Sequence, residues 1–175
     1  MYLGRLFSIG SVLCVDPWSD AGLVQGESVV DSGSAVASAD EAFDVFRMNM
    51  LPFANGNINY LRHPSVDAVR HYECDSESHP IVHSPEFGTV NYVGRISILH
   101  IDGNHSLEAV RADMQAWTRF VLPGGWIVFD DYVWPYGTGP KEIGDQFLIE
   151  HAAQIQNSFV IGTALFVQLH SSLHF

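Results

Sequence analysis

The sequence predicts an α/β fold with a mostly parallel sheet that ends in an antiparallel hairpin. Two short apolar runs, residues 96–101 and 126–129, have the length and composition of buried strands. Between them, apolar side chains recur every three or four residues over 107–121, as on one face of a helix, until a Pro-Gly-Gly sequence at 123–125 interrupts the pattern. A strand, helix, strand order is almost always right-handed and makes the two strands parallel. Near the C-terminus, two further apolar runs flank a Gly-Thr pair, as in a hairpin.

Three carboxylates directly follow the first two apolar runs. Asp102 comes after the first run, and Asp130 and Asp131 come after the second. Because parallel neighbours finish at the same edge of a sheet, we expect the three side chains to converge where open parallel sheets bind ligands. Carboxylates placed together repel one another unless a proton or a cation intervenes. The pattern therefore predicts a divalent cation at Asp102, Asp130 and Asp131.

Composition argues against several classes of protein. A length of 175 residues with 47% hydrophobic side chains suits a single domain, which we expect to span residues 1–175. The formal charge is −12, with 8 Lys and Arg against 20 Asp and Glu, so no nucleic-acid partner is expected. No apolar run approaches the roughly 20 residues that span a bilayer, and no signal-peptide pattern is present, so we predict a cytoplasmic protein without a membrane partner. Cys14 and Cys74 lack metal-like spacing, and no disulfide is expected.

The first forty residues are predicted to contain one strand between a helix end and a long loop. Residues 3–10 have the pattern of the last turns of a helix that stops at Gly10. Residues 12–15 are an apolar strand that ends at Asp16. Residues 19–40 are rich in Gly, Ser and acidic residues without a sustained period, which predicts a loop or mobile lid.

A helix, a short strand and a second helix are expected next. Ser38 and Glu41 have capping-box spacing before a stripe of Phe and Met that we interpret as core. Residues 58–61 predict a strand, and Ser65 is expected to cap a helix over 66–72. The following segment, 73–88, is polar and broken by prolines, so its two histidines four residues apart (His79 and His83) are interpreted as surface residues rather than metal ligands.

His100, Asp102 and His105 form an H-x-D-x-x-H string with three interpretations. A zinc site would use the imidazoles and one carboxylate. A hard cation would instead use Asp102 with the Asp-Asp pair after the second apolar run. In the third interpretation, Asn104 and Ser106 cap the following helix and Asp102 only turns the chain. All three remain open on the sequence alone.

An aromatic, Gly-rich segment over 132–140 follows the Asp-Asp pair and leads into a helix whose first residue can be Pro140. Trp134 and Tyr136 in this segment could form the wall of an acceptor pocket, or they could simply pack as a hydrophobic loop. The helix stripe continues to residue 155. The hairpin is then predicted over residues 158–161 and 164–169, and residues 170–175 are expected to form a loose tail.

Three motifs resemble one known family. The sequence HIDGNH followed by a helix, then LPGGWIVFDDY, then a helix opening GPKEIGDQF, is similar to class I S-adenosylmethionine-dependent methyltransferases. The most similar branch is the small-molecule O-methyltransferases, in which an aspartate after the fourth strand and an Asp-Asp pair after the fifth hold magnesium. The resemblance covers Val12 to the C-terminus. It implies a Rossmann-like sheet with helices on both faces, and magnesium or a similar divalent cation at Asp102, Asp130 and Asp131.

The same resemblance implies further site residues. Asp16 matches the acidic residue that holds the ribose hydroxyls of the cofactor, although capping the turn before Pro17 is an alternative role. Ser65 matches a position near the adenine ring, with helix capping as the alternative. His105 matches a position beside the cofactor or substrate. Asp102 and His105 are therefore the candidate catalytic residues, with His105 the second choice as the base that takes the proton.

The resemblance also exposes a departure from the family pattern. The family's first strand and its Gly-rich turn, which contacts the methionine part of the cofactor, should lie before Met1, and Gly4 and Gly10 do not form that motif. The chain is thus expected to be N-terminally truncated, unless the family assignment fails at this end. A sheet without that strand would have to close up, borrow a strand from another chain, or leave a groove.

These observations predict an S-adenosylmethionine-dependent, metal-assisted O-methyltransferase that acts on a small hydroxylated molecule such as a sugar, with a homodimer allowed. Two alternatives stay open. The first is an inactive, truncated methyltransferase-like module with a binding or oligomeric role. The second is a metal-dependent phosphatase or hydrolase, because an apolar strand that ends in Asp-Asp also occurs in phosphoryl-transfer sites.

Overall fold

The structure is a computed structural model that describes residues 10–19, 38–73, 79–135 and 137–173. The described residues divide into two compact units, an N-terminal unit up to Gly94 and a C-terminal unit from Arg95 onward. Most of the expected helix end at 3–10 and of the lid at 19–40 lies outside the described residues. The same holds for Cys74, Tyr136 and the last two residues of the expected tail.

The N-terminal unit contains one parallel strand pair with a helix in the connection. Strand β1 (Val12–Val15) pairs in parallel with β2 (Ile58–Leu61), and helix α1 (Ala39–Met50) comes between them in the chain. The Ser38 hydroxyl accepts a hydrogen bond from the Glu41 backbone N–H, which satisfies one of the N–H groups left unpaired at a helix start. These three elements agree with the sequence prediction.

The second helix of this unit, α2 (Ser65–Tyr72), begins one residue earlier than predicted. Its N-cap residue is Pro64, with φ −52° and ψ 141°, and Ser65 is the first residue of the helix. The proline ring holds φ close to the helical value, so the chain can enter the helix directly after it. The prediction that Ser65 caps the helix from outside is therefore wrong.

A hairpin that the sequence did not predict follows α2. Strand β3 (Ile81–Ser84) pairs antiparallel with β4 (Gly88–Asn91). The buried amide of Asn59 on β2 donates to the carbonyl oxygens of Val82, at 3.0 Å, and Gly88, at 2.9 Å. A buried amide with both N–H groups satisfied stabilises this arrangement. His83 lies on the exposed face of β3 and contacts Thr89, as expected of a surface histidine.

The C-terminal unit contains a four-stranded mixed sheet with the order β5-β6-β8-β7. Strand β5 (Ile96–Ile101) is parallel to β6 (Val121–Phe129), and helix α3 (Leu107–Trp117) forms the crossover. Helix α4 (Gly139–Glu150) then leads to the antiparallel hairpin of β7 (Ile155–Ile161) and β8 (Ala164–Leu169), with β8 also antiparallel to β6. The predicted α/β fold with a parallel pair and a closing hairpin is confirmed.

Two boundaries in the C-terminal unit differ from the prediction. Strand β6 begins at Val121, five residues before the predicted start at Trp126, because the Pro-Gly-Gly segment continues the strand through an irregular register rather than only ending the helix. Leu173, in the expected tail, is buried in the core, and the His170 N–H donates to the Gln154 carbonyl at 2.8 Å. The described part of the tail is thus attached to the fold.

The core of the C-terminal unit is continuous. Phe129, Phe147, Ile127 and Val167 are buried, and the Phe129 and Phe147 rings pack with centroids 5.5 Å apart. Burial of such side chains is the main favourable contribution to folding. No helix among the described residues combines the length and the apolar character needed to cross a bilayer.

Cys14 on β1 gives the first testable prediction. Burial raises the pKa of the Cys14 thiol to about 11. Because only the thiolate reacts, alkylation of Cys14 by iodoacetamide at pH 8 should be about 100-fold slower in the native protein than in urea. Peptide mass spectrometry after timed quenching measures both rates and separates Cys14 from Cys74. Equal native and denatured rates at Cys14 would contradict the prediction.

Candidate functional site

The parallel pairing of β5 and β6 brings the first two carboxylates together. Ile101 lies opposite Phe129 in the register, and the strands end at these residues. The Asp130 backbone N–H donates to the Ile101 carbonyl at 3.0 Å, which extends the ladder by one bond. Asp102 and Asp130 therefore leave adjacent strand ends side by side, as the sequence predicted from their positions after the two apolar runs.

Five side chains at this edge form two overlapping groups of potential metal ligands. In each group, one ligand atom from every residue lies within 4.8 Å of the others. The first group contains His100, Asp102 and Asp130, and the second contains Asp102, His105 and Asp131. His100 Nε2 lies 2.9 Å from Asp130 Oδ2, and His105 Nε2 lies 3.2 Å from Asp131 Oδ2. Asp102 is thus common to both groups, and each group includes a histidine.

The turn after β6 directs Asp130 and Asp131 to different partners. Asp131 has a left-handed backbone with φ 47°, which non-glycine residues adopt at an energetic cost. The Asp131 N–H donates to Asp130 Oδ1 at 2.9 Å. Tyr132, the next residue, is held by α4, because its hydroxyl donates to Asp145 and Lys141 lies over its ring at 4.8 Å from the centroid. These contacts fix the turn that carries both carboxylates.

The loop before α3 positions His105. Ser106 is the N-cap of α3 and accepts from the Ala109 N–H at 3.3 Å, and Asn104 accepts from the Ser106 N–H at 2.9 Å. The structural capping role considered for these two residues is thus present alongside the ligand group. The His105 ring is only 10% exposed and lies 5.0 Å from the Trp134 ring in an edge contact. Its Nδ1 is buried and has no hydrogen-bond partner among the described residues.

Gly139, at the start of α4, allows a close approach to this loop. A Cβ atom at Gly139 would lie 2.1 Å from the His105 carbonyl oxygen and 3.0 Å from the Leu107 nitrogen. Only glycine is compatible with backbone this close. The position of His105 relative to α4 therefore depends on a residue that carries no side chain, and sequence patterns did not single it out.

The surroundings of Asp102 disfavour its ionised form. Its pKa is raised, first because partial burial removes water from the carboxylate, and then because Asp130 and Asp131 repel its negative charge. His100 and His105 oppose this effect. A bound cation would relieve the repulsion, so the donor set and its electrostatics both fit a divalent ion.

The other predicted cofactor contacts, Asp16 and Ser65, belong to the N-terminal unit. Asp16 directly follows β1 and is exposed, and its Oδ1 accepts a hydrogen bond from the Trp18 N–H at 2.5 Å. Trp18 has φ 40°, so the chain turns sharply there. One oxygen of Asp16 thus serves the turn that the sequence suggested as its alternative role. Ser65 lies half-buried at the start of α2.

The chain belongs to a family described as a methyltransferase domain, since residues 2–132, well over half of its length, match that family. An uncharacterized protein of Acanthamoeba polyphaga mimivirus is 35% identical over 68 residues, which cover 39% of this chain and 28% of the viral protein. The match to the methyltransferase-domain family confirms the family that the three sequence motifs indicated.

The solved structure of NovP agrees with the fold. The O-methyltransferase NovP superposes with a TM-score of 0.59 at 14% identity, over 96% of this chain and 63% of NovP. MycE, a methyltransferase from the mycinamycin biosynthetic pathway solved in complex with Mg and SAH, has a TM-score of 0.46 at 17% identity, over 95% of this chain and 47% of MycE. The predicted Rossmann-like fold is confirmed by the NovP match. The chain spans less than two thirds of the length of either structure.

Proposed function

We propose that this chain is an S-adenosylmethionine-dependent O-methyltransferase that uses a divalent cation and methylates a small hydroxylated molecule. The observation that carries the proposal is the convergence of Asp102, His105, Asp130 and Asp131 at the carboxyl ends of two parallel strands in a methyltransferase-domain chain. Family membership supports the methyl donor, and the ligand groups support the cation.

The donor set suits a hard divalent ion. Carboxylate oxygens are preferred ligands of Mg²⁺, and ligands on opposite sides of such an ion are about 4 Å apart. Each of the two groups pairs two of these carboxylates with a histidine, and the 4.8 Å span within a group means that side-chain shifts below about 1 Å would bring its three donors onto one ion. Asp102, Asp130 and Asp131 are the residues that would hold it. When bound, a divalent ion lowers the pKa of a coordinated hydroxyl and orients it.

His105 is suited to take the proton of the acceptor hydroxyl. The contact of its Nε2 with Asp131 assigns the ring proton to Nε2 and leaves a lone pair on Nδ1. Because Nδ1 is buried, this role requires the loop that carries His105 to open toward the acceptor. The Asp131 carboxylate would then stabilise the imidazolium that forms, as an acidic partner does for other histidine bases. Asp102 is the alternative base.

The proposed reaction is an in-line displacement. S-adenosylmethionine supplies a methyl group on a positively charged sulfur. The acceptor oxygen would bond to the methyl carbon as the carbon–sulfur bond breaks, the sulfur would keep the bonding electron pair, and His105 would hold the proton of the acceptor hydroxyl. In the N-terminal unit, Asp16 is proposed to bind the ribose hydroxyls and Ser65 to contact the adenine. These two roles rest on the family resemblance.

Calorimetry and product analysis test the proposal. Titration of the purified chain with S-adenosylmethionine in the presence of Mg²⁺ should give saturable heat. Incubation with methyl-labelled donor and a panel of catechols, phenols and sugars should label at least one acceptor in a Mg²⁺-dependent manner. If neither S-adenosylmethionine nor Mg²⁺ gave heat on titration, the proposal would be contradicted. That outcome would favour the alternative of an inactive binding or oligomeric module.

We further propose that the chain folds as a single domain, forms a homodimer, is located in the cytoplasm and has no nucleic-acid partner. The phosphatase or hydrolase alternative has no specific support in the structure, whereas the match to a methyltransferase domain favours methyl transfer.

A further inference from the structure

His100 lies beside the carboxylates but has no place in the proposed proton transfer. It is the second-last residue of β5, two positions before Asp102. Residues two apart on a strand share a face, and His100 lies opposite Val128, which is itself two positions before Asp130. Alternation on the two strands therefore places His100, Asp102 and Asp130 on one face of the sheet edge. The 2.9 Å contact between His100 Nε2 and Asp130 Oδ2 agrees with this arrangement.

A structural role alone accounts poorly for His100. Its side chain is 50% exposed, so it contributes little to the core, and an exposed contact between an imidazole and a carboxylate adds little to stability. The contact does fix the position of the imidazole relative to Asp130. The atom held here is an imidazole nitrogen within 4.8 Å of oxygens from Asp102 and Asp130.

We propose that His100 is a ligand of the divalent cation, together with Asp102 and Asp130, and that the site consequently prefers a first-row transition ion such as Mn²⁺ to Mg²⁺. The inference rests on the cation of the proposed function but not on methyl transfer. Mg²⁺ selects oxygen ligands, whereas an imidazole in the donor set favours transition ions. His100 then joins the carboxylates at the ion, while His105, with Asp131 beside its Nε2, serves the proton.

The test measures cation binding by the full chain without methyl donor or acceptor. Mn²⁺ and Mg²⁺ affinities are measured by calorimetry. Nitrogen coordination of Mn²⁺ is measured by pulsed electron paramagnetic resonance, in protein with natural histidine and in protein labelled with ¹⁵N-histidine. The variants are His100→Asn and His105→Asn. The control is His83→Asn, which alters an exposed histidine of the N-terminal unit.

We expect Mn²⁺ to bind at least about tenfold more tightly than Mg²⁺. A nitrogen coupling should be present in the unaltered chain, change on ¹⁵N-histidine labelling, survive His105→Asn and His83→Asn, and vanish in His100→Asn. The His100 variant should lose about tenfold or more in Mn²⁺ affinity and much less in Mg²⁺ affinity. The labelling result on the unaltered chain stands even if a variant fails to fold.

Three results would overturn the inference: no Mn²⁺ binding, Mn²⁺ bound without nitrogen coupling, or a coupling lost in His105→Asn instead of His100→Asn. These outcomes are separable from failure of the proposed function. A chain that binds Mn²⁺ through His100 but labels no acceptor supports this inference alone. A chain that methylates with Mg²⁺ and shows no nitrogen coordination supports the proposed function alone.

Discussion

Asp102→Asn is expected to abolish cation binding and to reduce methyl transfer by about 10³-fold. Asp102 is the residue shared by both ligand groups, so its carboxylate cannot be replaced by any other in the cluster. The amide has nearly the same shape but carries no charge, and its oxygen is a much weaker ligand. Calorimetry with the divalent cation and single-turnover methyl transfer measure the two losses.

The same substitution should not destabilise the cation-free protein. Because the pKa of Asp102 is raised in the folded state, its ionised form is less favourable there than in the unfolded chain. The charge therefore costs stability above that raised pKa, and the cost disappears as pH falls below the unfolded value. With EDTA at pH 7, the Tm of Asp102→Asn should equal or exceed that of the unaltered protein.

The matched control for this experiment is Asp67→Asn, an exposed carboxylate on α2 in the other unit. It should bind the cation and transfer methyl groups as the unaltered chain does. A large drop in Tm for Asp102→Asn, or retained cation affinity, would show that Asp102 has a structural role instead.

Gly139→Ala is expected to destabilise the protein by about 1–3 kcal/mol and to lower methyl transfer by about 10²-fold. Helix propensity alone predicts the opposite sign, because alanine in a helix is favoured over glycine by about 1 kcal/mol. Overlap decides the outcome: the new Cβ would lie 2.1 Å from the backbone oxygen of His105, which cannot rotate away. Either α4 or the His105 loop must move, and movement of that loop displaces the proposed base.

Gly137→Ala provides the matched control two residues upstream. Gly137 is exposed, and a Cβ there would meet Trp134 at 3.5 Å, an ordinary contact distance. Thermal denaturation and methyl transfer should be nearly unchanged in this variant. If both glycine variants behave alike, the close approach at Gly139 does not control the site.

The elements predicted correctly are those with a strong local signal. The apolar runs of β5 and β6, with the helical stripe between them, determine a crossover whose handedness follows from strand twist. Two kinds of element were missed. Strands β3 and β4 are short and lie in a polar segment, and the partner that holds them, Asn59, is more than twenty residues earlier in the chain. The entry to α2 was misjudged because Pro64 and Ser65 both carry helix-start signals.

The sequence by itself determined the α/β fold class, the family resemblance and the neighbouring strand ends that Asp102 and Asp130 follow, because each is set by periodicity and by where residues stand after a strand. Only the tertiary structure decided how the acids are shared between His100 and His105, and that a glycine on α4 must adjoin His105. Those features depend on side-chain directions at a turn and on contacts between segments distant in the chain. Local sequence pattern predicts neither the side-chain directions at a turn nor the contacts between distant segments.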